Sequence, residues 1–284
     1  MNLALTKQKF QDWFTQQWVI LWGRRIEASA QSWLIGPFGE LNGIGEEFIY
    51  QLAEKENLIV NRNAPDTGLI SSIERLNLPD DSLSVLSAKV IDFYEHTSNY
   101  TLKFGVQWNP VFRLFGWLVN LLFSRRINQL NIPITNTSAS EDLSSEIIQL
   151  IDPGTNTCQY TIWLRKFAST GKVVYSGIYG TCTLPSGLTC IKAVFPLPMG
   201  NATVILKPCV GQHNELILES SGEKFGDAGF YFLLKDSQGN NWAQYVSSFS
   251  DSLVVRETGE GIAASQTLQL WNHTVARFSY EING

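Results

Sequence analysis

The densest group of side chains able to do chemistry is the segment DFYEHT, which carries Asp92, Tyr94, Glu95, His96 and Thr97. Asp92 and His96 are four residues apart, so a helix would set them side by side on one face. A carboxylate beside an imidazole orients the ring and favours its charged form, an arrangement suited to general acid–base work. With Asp92 or Glu95 as acid or base beside His96, the cluster could serve a hydrolase- or isomerase-type enzyme, an alternative to a non-enzymatic role. The same spacing also describes an ordinary histidine at a helix C-terminus, held by the dipole and an ion pair. Two further groups could bind rather than react. Arg125 and Arg126 stand together in FSRRINQLN and could hold a carboxylate or phosphate. Neighbours on a helix point about 100° apart, and the pair would serve equally as a helix cap with its stems on apolar surface. Trp163 and Arg165 share one strand face, as do Tyr175 and Tyr179, with Tyr160 nearby. Inside a curved sheet or barrel these four would line a site for an amphipathic ligand; in a plain sheet they would be cross-strand packing.

Other chemistries find little support. HExxH, GxSxG, the P-loop pattern and CxxC are absent. Gly259–Ala264 reads GEGIAA, but it leads into a strand, where a dinucleotide fingerprint needs a helix. Of the three histidines, His213 sits in the turn-like GQHN and His273 on the polar face of the last strand, so no metal site and no cofactor are expected. Cys182 has no histidine nearby in sequence to activate it.

The elements that must position these groups divide at about residue 97. Before it, Phe10, Trp13, Phe14, Trp18 and Leu21 recur at helical spacing and predict a helix over 7–22, closed by Gly23. Further helices are expected at about 44–57 and 69–76, and over 80–97, where Leu83, Leu86, Val90 and Phe93 mark one face. NYTLKFGVQW (99–108) alternates as the first strand. Asn109-Pro110 then opens an apolar helix over 110–126, whose face Val111–Phe123 is apolar nearly all round. NIPITNTSASEDLSS reads as a linker. Turn signals then recur between β-rich runs such as CQYTIWLRKF, KVVYSGIYGTC, TCIKAVFPL and NATVILKPCV, ending in one long run, TLQLWNHTVARFSYEI. The expected fold is α+β: a helical N-terminal third (1–97), then a β-rich region (98–284). That region would be a large antiparallel curved sheet or barrel of about nine to ten strands, with one apolar helix inserted after the first. The two regions are expected to form one integrated domain.

Net charge is −5 over 284 residues, which argues against nucleic acid as a partner. The start, MNLALTKQKFQDWF, lacks the pattern of a secretory signal, and no apolar run reaches the roughly 18 residues of a membrane span. A cytoplasmic location is therefore expected, with Cys158, Cys182, Cys190 and Cys209 as free thiols. Cys182 and Cys190 flank the turn LPSG and could face each other across a hairpin.

FYEHTSNYTL, FSRRINQLNIP, VVYSGIYGTC and FPLPMGNATVIL together resemble a family of uncharacterised bacterial proteins over about residues 85–280. The resemblance implies no known activity and transfers no site residue. A looser likeness is to the START-like helix-grip fold, where a sheet wraps a helix around an apolar cavity. Three functional expectations follow. The leading one is a module that binds a hydrophobic or amphipathic, lipid-like small molecule between the sheet and the apolar helix, through Trp163, Arg165, Tyr175, Tyr179, Arg125 and Arg126. The alternatives are the His96 enzyme and contact with a membrane or protein partner through Val111–Phe123.

Overall fold

A computed structural model describes residues 4, 10–40, 44–62, 64–113, 131–133 and 136–284. In chain order the elements are α1 (Phe10–Trp22), β1 (Arg24–Ile26), α2 (Glu47–Glu56), β2 (Ile59–Arg62), α3 (Asp80–Val85), α4 (Ala88–Glu95) and β3 (Thr101–Trp108). Eleven strands follow: β4 (Thr137–Ile151), β5 (Cys158–Phe167), β6 (Val173–Thr183), β7 (Thr189–Leu197), β8 (Gly200–Val210), β9 (Leu216–Glu219), β10 (Gly229–Lys235), β11 (Asn241–Tyr245), β12 (Phe249–Glu257), β13 (Ile262–Leu270) and β14 (His273–Asn283).

The described residues are mostly β. Antiparallel pairing runs β8-β7-β6-β5-β4-β3-β14-β13-β12-β9, and β9 pairs back onto β8, closing a ten-stranded barrel. Closure depends on β8 dividing its free edge. Its last part, Lys207–Val210, pairs with β9, while Gly200–Ile205 pairs with β10, so β10, β11 and β1 flare away as a side sheet. β2 is the fourth strand outside the ring and pairs with β4.

Alternate residues face the barrel interior, as the strand period requires. The outward face is apolar too where α2 or the turn at Trp33-Leu34 covers it. Ile148, Leu150, Ile162, Leu164 and Val194 pack under Phe48, Ile49 and Leu52 of α2. Trp33 and Leu34 cover Cys190, Ile205 and Tyr231 on the other side. Inside, one buried cluster joins Phe104, Phe278 and Ile282 to Ile73, Leu76, Val90, Phe93 and Tyr94, so α4 and the turn before it plug the barrel interior. Gly68 makes this docking possible, because its backbone lies against the carbonyls of Tyr94 and Glu95 where a Cβ would not fit.

Several expectations are corrected. The N-terminal third is less helical than predicted, since it contains β1 and β2, and Ile73–Leu76 is only a 3-10 turn. The helix expected over 80–97 breaks at Leu86-Ser87, where both residues are extended and the Ser87 hydroxyl caps α4 through the Val90 N–H. The predicted face survives the break, with Leu86, Val90 and Phe93 all buried. Part of the presumed linker is strand: β4 starts at Thr137 and is held between β3 and β5. The long last run is two strands, because Trp271 and Asn272 both take positive φ (50° and 63°) in a two-residue hairpin loop. Helical backbone is present over Pro110–Arg113, and the rest of the expected helix 110–126 lies outside the described residues. α1 bears its apolar stripe outward: Phe10, Phe14, Leu21 and Trp22 are exposed, while Asp12 and Gln16 are buried and Gln16 donates to the Pro198 carbonyl at 2.9 Å.

Candidate functional site

A cavity of about 360 Å³ opens into the barrel interior. Its wall follows the strand period. Ile191, Ala193, Phe195 and Leu197 come from β7, Phe249, Asp251, Leu253 and Val255 from β12, and Phe278, Tyr280 and Ile282 from β14. Phe93 and Tyr94 of α4 contribute to the lining, as do Trp108 and Ile132. A largely preformed apolar cavity with a few polar groups is the usual architecture of a small-molecule site.

The polar groups form one connected set. Arg165 on β5 is 6% exposed, with its guanidinium carbon 3.9 Å from the centre of the Trp163 ring and 4.6 Å from that of Tyr175. Guanidinium groups stay charged in proteins, and two aromatic faces offset part of the cost of burying that charge. Nη2 donates to the Tyr179 hydroxyl at 3.0 Å, while Nε, fully buried, has no hydrogen-bond partner among the described residues. Tyr280 links this cation to a second group. Its phenol interacts with Arg165 and donates to Gln266 Oε1 at 3.3 Å, and Gln266 Nε2 donates to Asp251 Oδ2 at 2.6 Å. Asp251 Oδ1 is buried and has no partner among the described residues. Burial pushes the Asp251 carboxyl up to about 7, against the opposing effect of the Gln266 bond. Burial likewise raises the phenols of Tyr175, Tyr179 and Tyr280, which therefore remain protonated donors.

Of the residues singled out in the sequence, Trp163, Arg165, Tyr175 and Tyr179 converge on this cavity. Arg125 and Arg126 lie outside the described residues, as does most of Val111–Phe123. The acid–base cluster splits. Tyr94 turns into the cavity, whereas His96 and Asp92 pair at the surface, Nδ1 to Oδ1 at 2.9 Å, with side-chain exposures of 38% and 53%. The Tyr100 hydroxyl donates to Asp92 Oδ2 at 2.6 Å; that bond, with His96 adding to it, holds the Asp92 carboxyl below its usual range. Glu95 accepts from the Ile73 N–H at 2.7 Å and ties the helix to the preceding turn. None of Asp92, Glu95 and His96 lines the cavity. Among the described residues no group of His, Cys, Asp or Glu is placed to hold a metal ion.

Asp251, Gln266 and Tyr280 were missed as site residues. The signal was a polar residue on an otherwise apolar strand face. Asp251 interrupts Phe249, Leu253 and Val255, and Gln266 interrupts Ile262, Ala264 and Leu268. The cysteines fit expectation in part: Cys182 and Cys190 pair directly across the β6–β7 hairpin, both as free thiols. Burial pushes them up to about 11 and about 12, which makes them poor nucleophiles.

Fold and site together define a closed antiparallel β-barrel with an internal, mostly apolar cavity and a buried cation. Comparison with known proteins agrees with the resemblance to uncharacterised bacterial proteins. The chain is 29% identical over 194 residues to the uncharacterized membrane protein YndJ of Bacillus subtilis (strain 168). The matched stretch is 66% of this chain and 33% of that protein, so the chain spans about a third of its relative's length. No family model matches the chain, and no solved structure matches it. Among the described residues no helix is long and apolar enough to cross a membrane.

Proposed function

We propose that this barrel binds a hydrophobic or amphipathic small molecule in its interior. The observation that carries the reading is the cavity of about 360 Å³, walled by aliphatic and aromatic side chains and holding a buried polar cluster at one place on its wall. Leaving such a space empty forfeits dispersion contacts along its whole lining. A ligand of matching shape recovers them and gains the burial of its own apolar surface, at roughly 25 cal/mol per Å² before the costs of association. Native mass spectrometry of protein purified without detergent tests this: an adduct of small-molecule mass, lost on collisional activation, supports the reading. Protein that carries no adduct and takes up no apolar compound when challenged would count against it.

A second reading, contact with a lipid surface, is favoured by α1 and concerns a different part of the molecule. Phe10, Phe14, Leu21 and Trp22 are exposed along one side of the helix, with the exposed Arg24 and Arg25 just beyond its end. An aromatic-rich face flanked by arginines suits the headgroup boundary of an anionic bilayer. The relative's description as a membrane protein is in keeping with such a setting.

A further inference from the structure

We infer that the ligand of the cavity is a monoanionic amphiphile headed by a carboxylate, with the head group seated on the unpartnered Nε–H of Arg165 and the hydrocarbon tail along the apolar wall. This rests on the reading of the barrel as a small-molecule binder and specifies which molecules it takes.

Three observations select the head group. Arg165 is the only basic residue among the described lining residues, is more than nine-tenths buried, and has no carboxylate within ion-pair distance among them. A buried cation left without a counter-charge is costly, and a ligand anion supplies what the protein does not. Second, the guanidinium is oriented in advance. Trp163 and Tyr175 hold its faces, Tyr179 accepts from Nη2 and the Tyr280 phenol also engages the guanidinium, while the Nε–H alone has no hydrogen-bond partner among the described residues. A carboxylate oxygen can take that N–H in a charge-assisted hydrogen bond, and the protein has already met the cost of orienting the donor. Third, the other acidic group does not cancel this charge. Asp251 is engaged with Gln266 and forms no ion pair with Arg165, its Oδ1 has no partner among the described residues, and burial raises its carboxyl to about 7, so it is largely neutral below that pH.

The same set argues against other heads. An alkylammonium would meet the guanidinium charge without compensation. A phosphate dianion would bring two negative charges to a single cation in an otherwise apolar wall. An alcohol would fill the cavity but leave the cation unneutralised. Discrimination between a carboxylate and its alcohol analogue should therefore be large, because a hydrogen bond to a charged group is worth more than a neutral one.

The test uses laurate, dodecanol and dodecylamine, each titrated into the ligand-free full chain below its solubility limit by isothermal calorimetry. Laurate is expected to bind at least about tenfold more tightly than dodecanol, and dodecylamine weakest of the three. In Arg165→Met the laurate preference should disappear while dodecanol binding is kept, with thermal unfolding confirming that the variant is folded. Tyr179→Phe, which removes the hydroxyl that engages Nη2, gives a milder second variant and should lower laurate affinity alone. Equal binding of laurate and dodecanol by the wild-type protein overturns the head-group inference and leaves the small-molecule reading standing. Failure of all three to bind the folded wild-type protein overturns both. The wild-type comparison decides the matter even if Arg165→Met does not fold.

Discussion

Replacing Asp251 by asparagine should change stability by an amount that depends on pH. Asp251 is 7% exposed and faces an apolar cavity, and among the described residues its carboxyl accepts one hydrogen bond, from Gln266 Nε2 at 2.6 Å. Its carboxyl is pushed up to about 7 by burial, whereas an aspartate in an unfolded chain titrates near 3.9. Between these values the folded protein keeps a proton that the unfolded chain has released. The unfolded state then binds fewer protons, so wild-type stability falls as pH rises from about 4 to about 7 and levels off above. Below about pH 4 both states are protonated and the effect vanishes. The separation is about three pH units at roughly 1.4 kcal/mol each, or about 4 kcal/mol in all. Asparagine cannot ionise and can still accept from Gln266. The stability of Asp251→Asn relative to wild type should therefore climb by about 4 kcal/mol between pH 4 and pH 8. A constant offset of about 1–3 kcal/mol is expected if its amide N–H groups find no acceptor, so the trend and not the absolute value carries the test. Urea unfolding of both proteins across this range at fixed ionic strength measures it. A difference that stays flat with pH would refute the reasoning that Asp251 is buried away from compensating charge.

Gly68→Ala should destabilise the fold by about 1–3 kcal/mol in urea unfolding, because its Cβ would collide with the Tyr94 and Glu95 carbonyls and push α4 off the barrel interior. His96→Ala should leave ligand binding unchanged in calorimetry and cost at most about 1 kcal/mol of stability, since the pair with Asp92 is solvent-exposed and lies off the cavity wall. On the lipid-surface reading, Leu21→Ser combined with Trp22→Ser should reduce co-sedimentation with phosphatidylglycerol vesicles several-fold without altering thermal unfolding, as both side chains are exposed. Equal sedimentation of this variant and wild type would remove α1 as the contact.

Much of the barrel was legible where local pattern and tertiary role coincide. CQYTIWLRKF and TCIKAVFPL mark β5 and β7 to the residue, because β-branched and aromatic side chains run between clear turns. β4 was hidden because its first residues, TSASEDLSS, are the polar, short side chains usual in loops. Their strand conformation comes from hydrogen bonding to β3 and β5, a long-range effect that local pattern does not record. The β13–β14 turn was hidden for a related reason. Trp271 holds a left-handed conformation that sequence rules assign to glycine or asparagine. The aromatic stripe of α1 was visible, but periodicity does not say whether a stripe faces the protein or the solvent. In the site, Trp163, Arg165, Tyr175 and Tyr179 could be read from strand alternation. Asp251 and Gln266 depended on knowing that β12 and β13 turn the same face inward as β5 and β6, and barrel closure alone decides that.

The central claim is that the barrel interior is a binding site, and filling it tests that most directly. Ala193 on β7 lines the cavity between Tyr179 on β6 and Val204 on β8, its cross-strand partners. Binding of the neutral dye N-phenyl-1-naphthylamine, followed by its fluorescence, should show one saturable site in the wild-type protein. It should be lost in Ala193→Trp, while thermal unfolding shows the variant still folded. Equal saturable binding by the two proteins, or none by the folded wild type, would contradict the account.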